Sequence, residues 1–200
     1  RPGRQALIDD LLPTLRVPLP GDAGAPIDPK TLFDPQPEAV WLEIGFGGGE
    51  HLAEQARRNP DVGLIGCEPF IEGMAKLLTQ VDADGLSNVR LRMDDARPLI
   101  DGLAPGSLSR VFIMFPDPWP KKKHHRRRFV TQEHLEPLAR AMTPGAICLR
   151  TDCLISIFPA TMLHWRVSCT RGFFATSSTR RAAVRSRCSS SARRRVSWRS

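Results

Sequence analysis

No Cys-x-x-Cys pair occurs among the five cysteines, Cys67, Cys148, Cys153, Cys169 and Cys188, and their number is odd. Neither a zinc site nor a disulfide framework is supported; Cys67 and Cys148, set in apolar stretches, read as buried thiols. No apolar run reaches the roughly 18 residues that a membrane helix requires, and no signal-peptide layout opens the chain. A cytoplasmic protein without membrane contact is expected. His124 and His125 are adjacent and lie in a cationic run that repels divalent ions, so no metal is expected. No internal repeat is present.

The sharpest lack is in the tail. All 21 acidic residues and 19 of the 29 Lys and Arg precede Leu154, whereas the last 47 residues hold ten Arg, ten Ser, no Lys and no acid. The formal charge of +8 therefore comes from this segment. A basic tail can bind RNA phosphates by counterion release. The same composition also arises when a GC-rich coding sequence is read out of frame. The tail lacks helical periodicity, and Ile155 to Pro159 is its only strand-like fragment. Residues 1–153 are expected to form one domain, with 1–38 as an N-terminal arm and connection, and 154–200 to be an Arg/Ser-rich tail. About 150 residues suffice to bury a single core.

What is present is most distinctive at Phe115-Pro116-Asp117-Pro118-Trp119-Pro120, followed by six Lys and Arg between Lys121 and Arg128. Each proline fixes φ near about −65° and pushes the residue before it toward extended backbone, so Asp117 is offered on a stiff loop. Trp119 supplies a face for a base, and the basic run supplies cations for phosphates. A solvated charged loop beside a buried Trp is the plainer alternative.

Upstream, Ala39 to Ile44 is an apolar run that breaks into Gly45, Gly47, Gly48 and Gly49 and then into helical composition from His51 to Arg58. Strand, glycine turn and helix open a nucleotide-binding α/β sheet. The dinucleotide spacing fails because Glu50 stands where the third glycine belongs. The pattern from Glu43 to Gly49 suits S-adenosylmethionine, whose ammonium and sulfonium favour an acid at the strand tip. Glu68 ends a second strand and could hold ribose hydroxyls, or face water as an ordinary charge. A third strand closes in Asp94 and Asp95, either of which could meet an adenine amino group, with Asp95 favoured. The fourth, from Ser109 to Phe115, delivers the Asp117 loop. Ligands bind outside the carboxyl ends of such strands, so four successive strand ends carrying polar candidates reinforce one another.

Leu42-Glu43-Ile44-Gly45-Phe46-Gly47, Gly66-Cys67-Glu68, Asp95-Ala96, Phe115 to Trp119 with Lys121, and Arg150-Thr151-Asp152 together resemble the bacterial tRNA (guanine-N7)-methyltransferases. The resemblance runs from Arg4 to Asp152. It implies a Rossmann-like class I methyltransferase fold, a mostly parallel sheet flanked by helices, acting on a guanosine in the tRNA variable loop. It also implies that Glu43, Gly45, Gly47, Glu68, Asp95 and Asp117 contact S-adenosylmethionine, that Asp117 is catalytic, and that Lys121, Lys123, Arg126, Arg127, Arg128 and Asp152 contact tRNA. The family continues after Thr-Asp through a helix, an antiparallel strand pair and a Thr-x-Tyr/Phe-Glu motif, which is absent between Leu154 and Ser200. Missing or disrupted C-terminal strands, with an unpaired sheet edge, are the expectation. A methyltransferase of another RNA or a small molecule, or a catalytically disabled RNA-binding homologue, remain alternatives, and the protein is expected to be a monomer or homodimer.

Strands are expected at 39–44, 62–68, 88–93, 109–115 and 146–150, and helices at 5–16, 50–58, 70–81, 96–102 and 131–142. The Pro/Gly-rich stretch from Pro18 to Pro37 is expected to lie over the cofactor edge.

Overall fold

The computed structural model describes residues 3–19, 25–113, 129, 131–150 and 166–169. Strands β1 (Ala39–Ile44), β2 (Val62–Cys67), β3 (Val89–Arg92), β4 (Leu108–Ile113), β5 (Met142–Arg150) and β6 (Arg166–Cys169) form one sheet in the order β3-β2-β1-β4-β5-β6. Every pairing is parallel. Helices α3 (Glu50–Arg58), α4 (Ile71–Asp84), α5 (Arg97–Gly102) and α6 (Gln132–Ala141) connect or precede the strands, and α1 (Arg4–Ala6) and α2 (Leu12–Leu15) flank a π turn at Leu7–Leu11. This is the doubly wound α/β architecture that the sequence implies.

Strand alternation divides the core. Val40, Leu42 and Ile44 pack with Leu99, Ile100, Leu135 and Leu138 under α5 and α6. Trp41 and Phe112 pack with Leu52, Leu64, Met74 and Leu77 under α3, α4 and the N-terminal helical segment. Because helices cover both faces, the strands carry near-continuous apolar residues and were recognisable as short apolar runs. In α4, Met74, Leu77, Leu78 and Val81 repeat at helical spacing and are all buried. The helix stops at Gly85, whose φ of 62° is left-handed, and the Leu86 N–H closes the end on the Val81 carbonyl at 3.1 Å. The side chain of Asn88 donates to the carbonyls of Ala56, Asn59 and Val62 at 3.0–3.1 Å, closing the α3–β2 connection.

Four expectations are corrected. The connection, as far as residues 25–37 describe it, lies at the amino ends of the strands and not over the cofactor edge. Ile27 and Leu103 form a parallel bridge just before β4, Glu38 N–H donates to Asp61 O at 3.0 Å, and the Phe33 ring lies so close to Gly63 that a Cβ there would stand 2.7 Å from it. Second, β5 begins at Met142 and not at residue 146, and Pro144 falls in an irregularity between the pairings Leu108↔Met142 and Arg110↔Ile147. A residue without an N–H is accommodated at such a bulge. Third, Arg166–Cys169 is a strand in the part of the tail where none was read; the 155–159 fragment lies outside the described residues. Fourth, β6 pairs with β5 from Ile147↔Arg166 to Arg150↔Cys169, so that edge of β5 is not unpaired. Among the described residues no helix is long and apolar enough to cross a membrane.

Candidate functional site

Registers align the carboxyl ends of four strands. Ile113 lies beside Ile44, Ile44 beside Cys67, and Cys67 beside Arg92. The residues that follow therefore emerge along one edge: the glycine turn after β1, Glu68 after β2, and Asp94 and Asp95 after β3. Pairing continues one step further, since Gly45 N–H donates to Cys67 O at 2.8 Å and Glu68 N–H to Arg92 O at 3.1 Å.

The turn from Gly45 to Gly49 is held from three sides. Gly47 and Gly49 have φ of 58° and 79°, which residues with a Cβ rarely adopt. The Glu68 carboxylate accepts the Gly47 N–H at 2.9 Å through one oxygen and the Phe70 N–H at 3.1 Å through the other. Gln80 donates to the Gly48 carbonyl at 3.0 Å from α4. Gly73, also on α4, approaches closest of all, because a Cβ there would lie 2.2 Å from the Gly47 oxygen.

Glu43 is fully shielded from solvent. One carboxylate oxygen meets His51 Nδ1 at 2.7 Å; the other, Oε1, is buried without a hydrogen-bond partner. Burial pushes its carboxyl above the ordinary range, and the hydrogen bond and charge interaction with His51 offset part of that rise. An ionised carboxylate can only accept, so Nδ1–H donates, and Nε2 then faces the Gln55 side-chain nitrogen at 3.3 Å. The His51 ring is further held edge-on to Phe112, with centroids 4.7 Å apart.

Asp95 sits differently. Its Oδ1 accepts the Arg97 N–H at 2.9 Å, and its Oδ2 receives Arg97 Nε at 2.7 Å and a still shorter contact from Nη2. The Arg97 side-chain hydrogen bond is the largest reason that the Asp95 carboxyl titrates below its usual range. Arg97 also reaches His134 on α6 at 3.3 Å. Asp94 instead pairs with Arg92 at 2.8 Å and accepts the Asp95 N–H.

The structure thus brings Glu43, Gly45, Gly47, Glu68 and Asp95 to one edge of the sheet. Asp117, Trp119, Lys121, Lys123, Arg126, Arg127, Arg128 and Asp152 lie outside the described residues. Three neighbours were missed from sequence: His51, Arg97 and Gly73. Only Arg97 carried a signal, being a cation two residues past an acid at a strand end. The roles of His51 and Gly73 depend on contacts across the fold.

A family model described as "Putative methyltransferase" matches residues 37–179. The tRNA (guanine-N(7)-)-methyltransferase of Ruegeria sp. (strain TM1040) is 52% identical over 154 residues, covering 74% of this chain and 58% of that protein. The tRNA (guanine-N(7)-)-methyltransferase of Roseobacter denitrificans is 56% identical over 122 residues, covering 61% of this chain and 52% of the relative. The chain therefore spans between half and two-thirds of these relatives. Among solved structures, the antibiotic-resistance methyltransferase Kmr overlays with a TM-score of 0.43 at 20% identity, over 63% of this chain and 66% of that one.

Proposed function

Because the chain belongs to the methyltransferase family whose model matches residues 37–179, we propose that it transfers the methyl group of S-adenosylmethionine to N7 of a guanosine in the variable loop of tRNA. The observation that carries this is the row of Glu43, Glu68 and Asp95 at three adjacent strand ends around a glycine turn, where open parallel sheets bind ligands. The choice of acceptor follows the shared name of relatives that are 52% and 56% identical.

Two features fit the cofactor. A buried carboxylate oxygen of Glu43 lacks a partner, which an ammonium would supply. The turn leaves space above Gly47, where an added Cβ would meet nothing within 4 Å. When bound, the cofactor supplies a methyl group on a cationic sulfur. Glu43 takes its ammonium, Glu68 uses remaining lone pairs for the ribose hydroxyls, and Asp95 receives the adenine amino group beside Arg97. Guanine N7 carries a free lone pair, so no base must first remove a proton. Alignment and charge remain to be provided. Asp117 orients the guanine and stabilises the positive charge the purine acquires. Lys121, Lys123, Arg126, Arg127, Arg128 and Asp152 hold the tRNA.

The test is incorporation of labelled methyl groups by the full chain into an unmodified tRNA transcript and into one whose variable-loop guanosine is replaced. Labelling of the first alone is expected. Equal labelling moves the acceptor elsewhere, and cofactor binding without labelling of either identifies a disabled RNA-binding homologue.

A further inference from the structure

Arg92 is the most shielded cation among the described residues, only 5% exposed. Its Nη2 binds Asp94 at 2.8 Å and its Nη1 reaches the Val17 carbonyl at 3.3 Å, but its Nε is buried without an acceptor. A donor kept from both water and protein acceptors is costly unless a ligand completes it. Arg92 also lines a cavity of about 230 Å³ between the N-terminal helical segment and the end of β3. Ile8, Leu12 and Pro13 form one apolar wall, and Met93, 41% exposed, lines it too. Arg16 is exposed among the lining residues and forms no ion pair among the described residues.

This combination discriminates between ligands. An apolar lining with a few convergent polar groups suits a flat, partly apolar group. The Asp94 carboxylate beside Arg92 repels a phosphate from the interior. A guanidinium donor next to a carboxylate acceptor instead matches a base edge with a ring nitrogen beside an amino group, as in adenine or cytosine. Arg16, unpaired and exposed, is left for a phosphate. Asp94 adjoins Asp95, so the cavity borders the cofactor edge.

We propose that this cavity takes one unstacked nucleotide of the RNA substrate, its base against Leu12, Pro13 and Met93 and its phosphate on Arg16. The inference rests on the RNA acceptor proposed above. Loop nucleotides whose bases splay out are the parts of RNA that proteins read most readily.

The experiment is an anisotropy titration of a labelled, unmodified tRNA transcript with the full chain across a salt series, comparing parent, Arg16→Gln and Met93→Ala. Calorimetric titration with S-adenosylmethionine controls for folding and for the neighbouring site. Arg16→Gln is expected to weaken tRNA binding about five- to tenfold and lower the slope of log affinity against log salt by about one. Met93→Ala is expected to weaken it about fivefold with the slope unchanged, since a lost base contact releases no counterion. Both should bind the cofactor like the parent. If the parent binds tRNA and both variants match it within about twofold, the nucleotide pocket is wrong while the function stands. A parent that binds S-adenosylmethionine but no tRNA overturns both.

Discussion

Gly73 of α4 rests on Gly47 of the β1 turn so closely that a Cβ on Gly73 would stand 2.2 Å from the Gly47 carbonyl oxygen. The preceding peptide unit of the same residue is fixed too, by the Gly47 N–H donated to Glu68. The turn's shape is thus set by its neighbours as much as by its own glycines. Gly73→Ala is expected to push α4 from the turn, lowering stability by about 1–3 kcal/mol as overpacking does, and to weaken S-adenosylmethionine binding. Urea unfolding with calorimetric titration checks both; parent-like values would mean that the helix yields without moving the turn.

Glu43→Gln should separate function from stability. The amide can still accept from His51 while the buried charge disappears, so the variant is expected to be as stable as the parent or more so at neutral pH. Cofactor affinity should fall at least about tenfold, the loss of a charge-assisted hydrogen bond. The sign of the pH effect follows from the raised carboxyl. Its contribution to stability is fully present below the unfolded value of 4.5 and is lost as pH rises through the higher folded value. The parent should therefore lose ground to Glu43→Gln as pH increases, and a parallel pair of stability curves would disprove it.

Asp95 should show the reverse dependence. Its carboxyl is lowered chiefly by the side chain of Arg97. The pair's contribution is present above the unfolded value of 3.8 and disappears as pH falls through the lower folded one. Denaturant midpoints of the parent and Asp95→Asn should differ at pH 6 and draw together as pH falls below 3.8. A constant gap would assign the effect to something other than the ion pair.

Cys67 lies in β2 with its thiol pushed up to about 12, first by burial. Iodoacetamide at pH 8 is expected to leave the Cys67 peptide unmodified in the folded protein and to label it fully in urea, as peptide mass mapping would read. Labelling at the rate of a free thiol would show that β2 opens readily.

The strands of the cofactor edge were legible because both of their faces are buried, which leaves apolar runs closed by polar tips. The bounds of α3 were recovered as well, since glycines precede it and its last turn carries Arg57 and Arg58. What the chain hides is where separate segments meet. The stretch from residue 25 to 37 carries four prolines, which fit a loop at either end of the sheet, and only its contacts across the fold, Phe33 on Gly63 and Ile27 beside Leu103 among them, decide for the amino end. Glu43 read as a site acid, yet nothing near it in sequence announces that His51 would hold one of its oxygens. Glu68 likewise read as a ribose acid, whereas its carboxylate also braces the neighbouring turn.

The strand order has a consequence for how the protein comes into being. β1, β2 and β3 are successive in the chain and adjacent in the sheet, so a nascent polypeptide can close this half through short-range crossovers once Arg92 is available. β4 must return across that half to pair with the other side of β1, a longer loop with a greater closure entropy. The half bearing Glu43, Glu68 and Asp95 is therefore placed to assemble first, before the ribosome has delivered the strand that leads to Asp117.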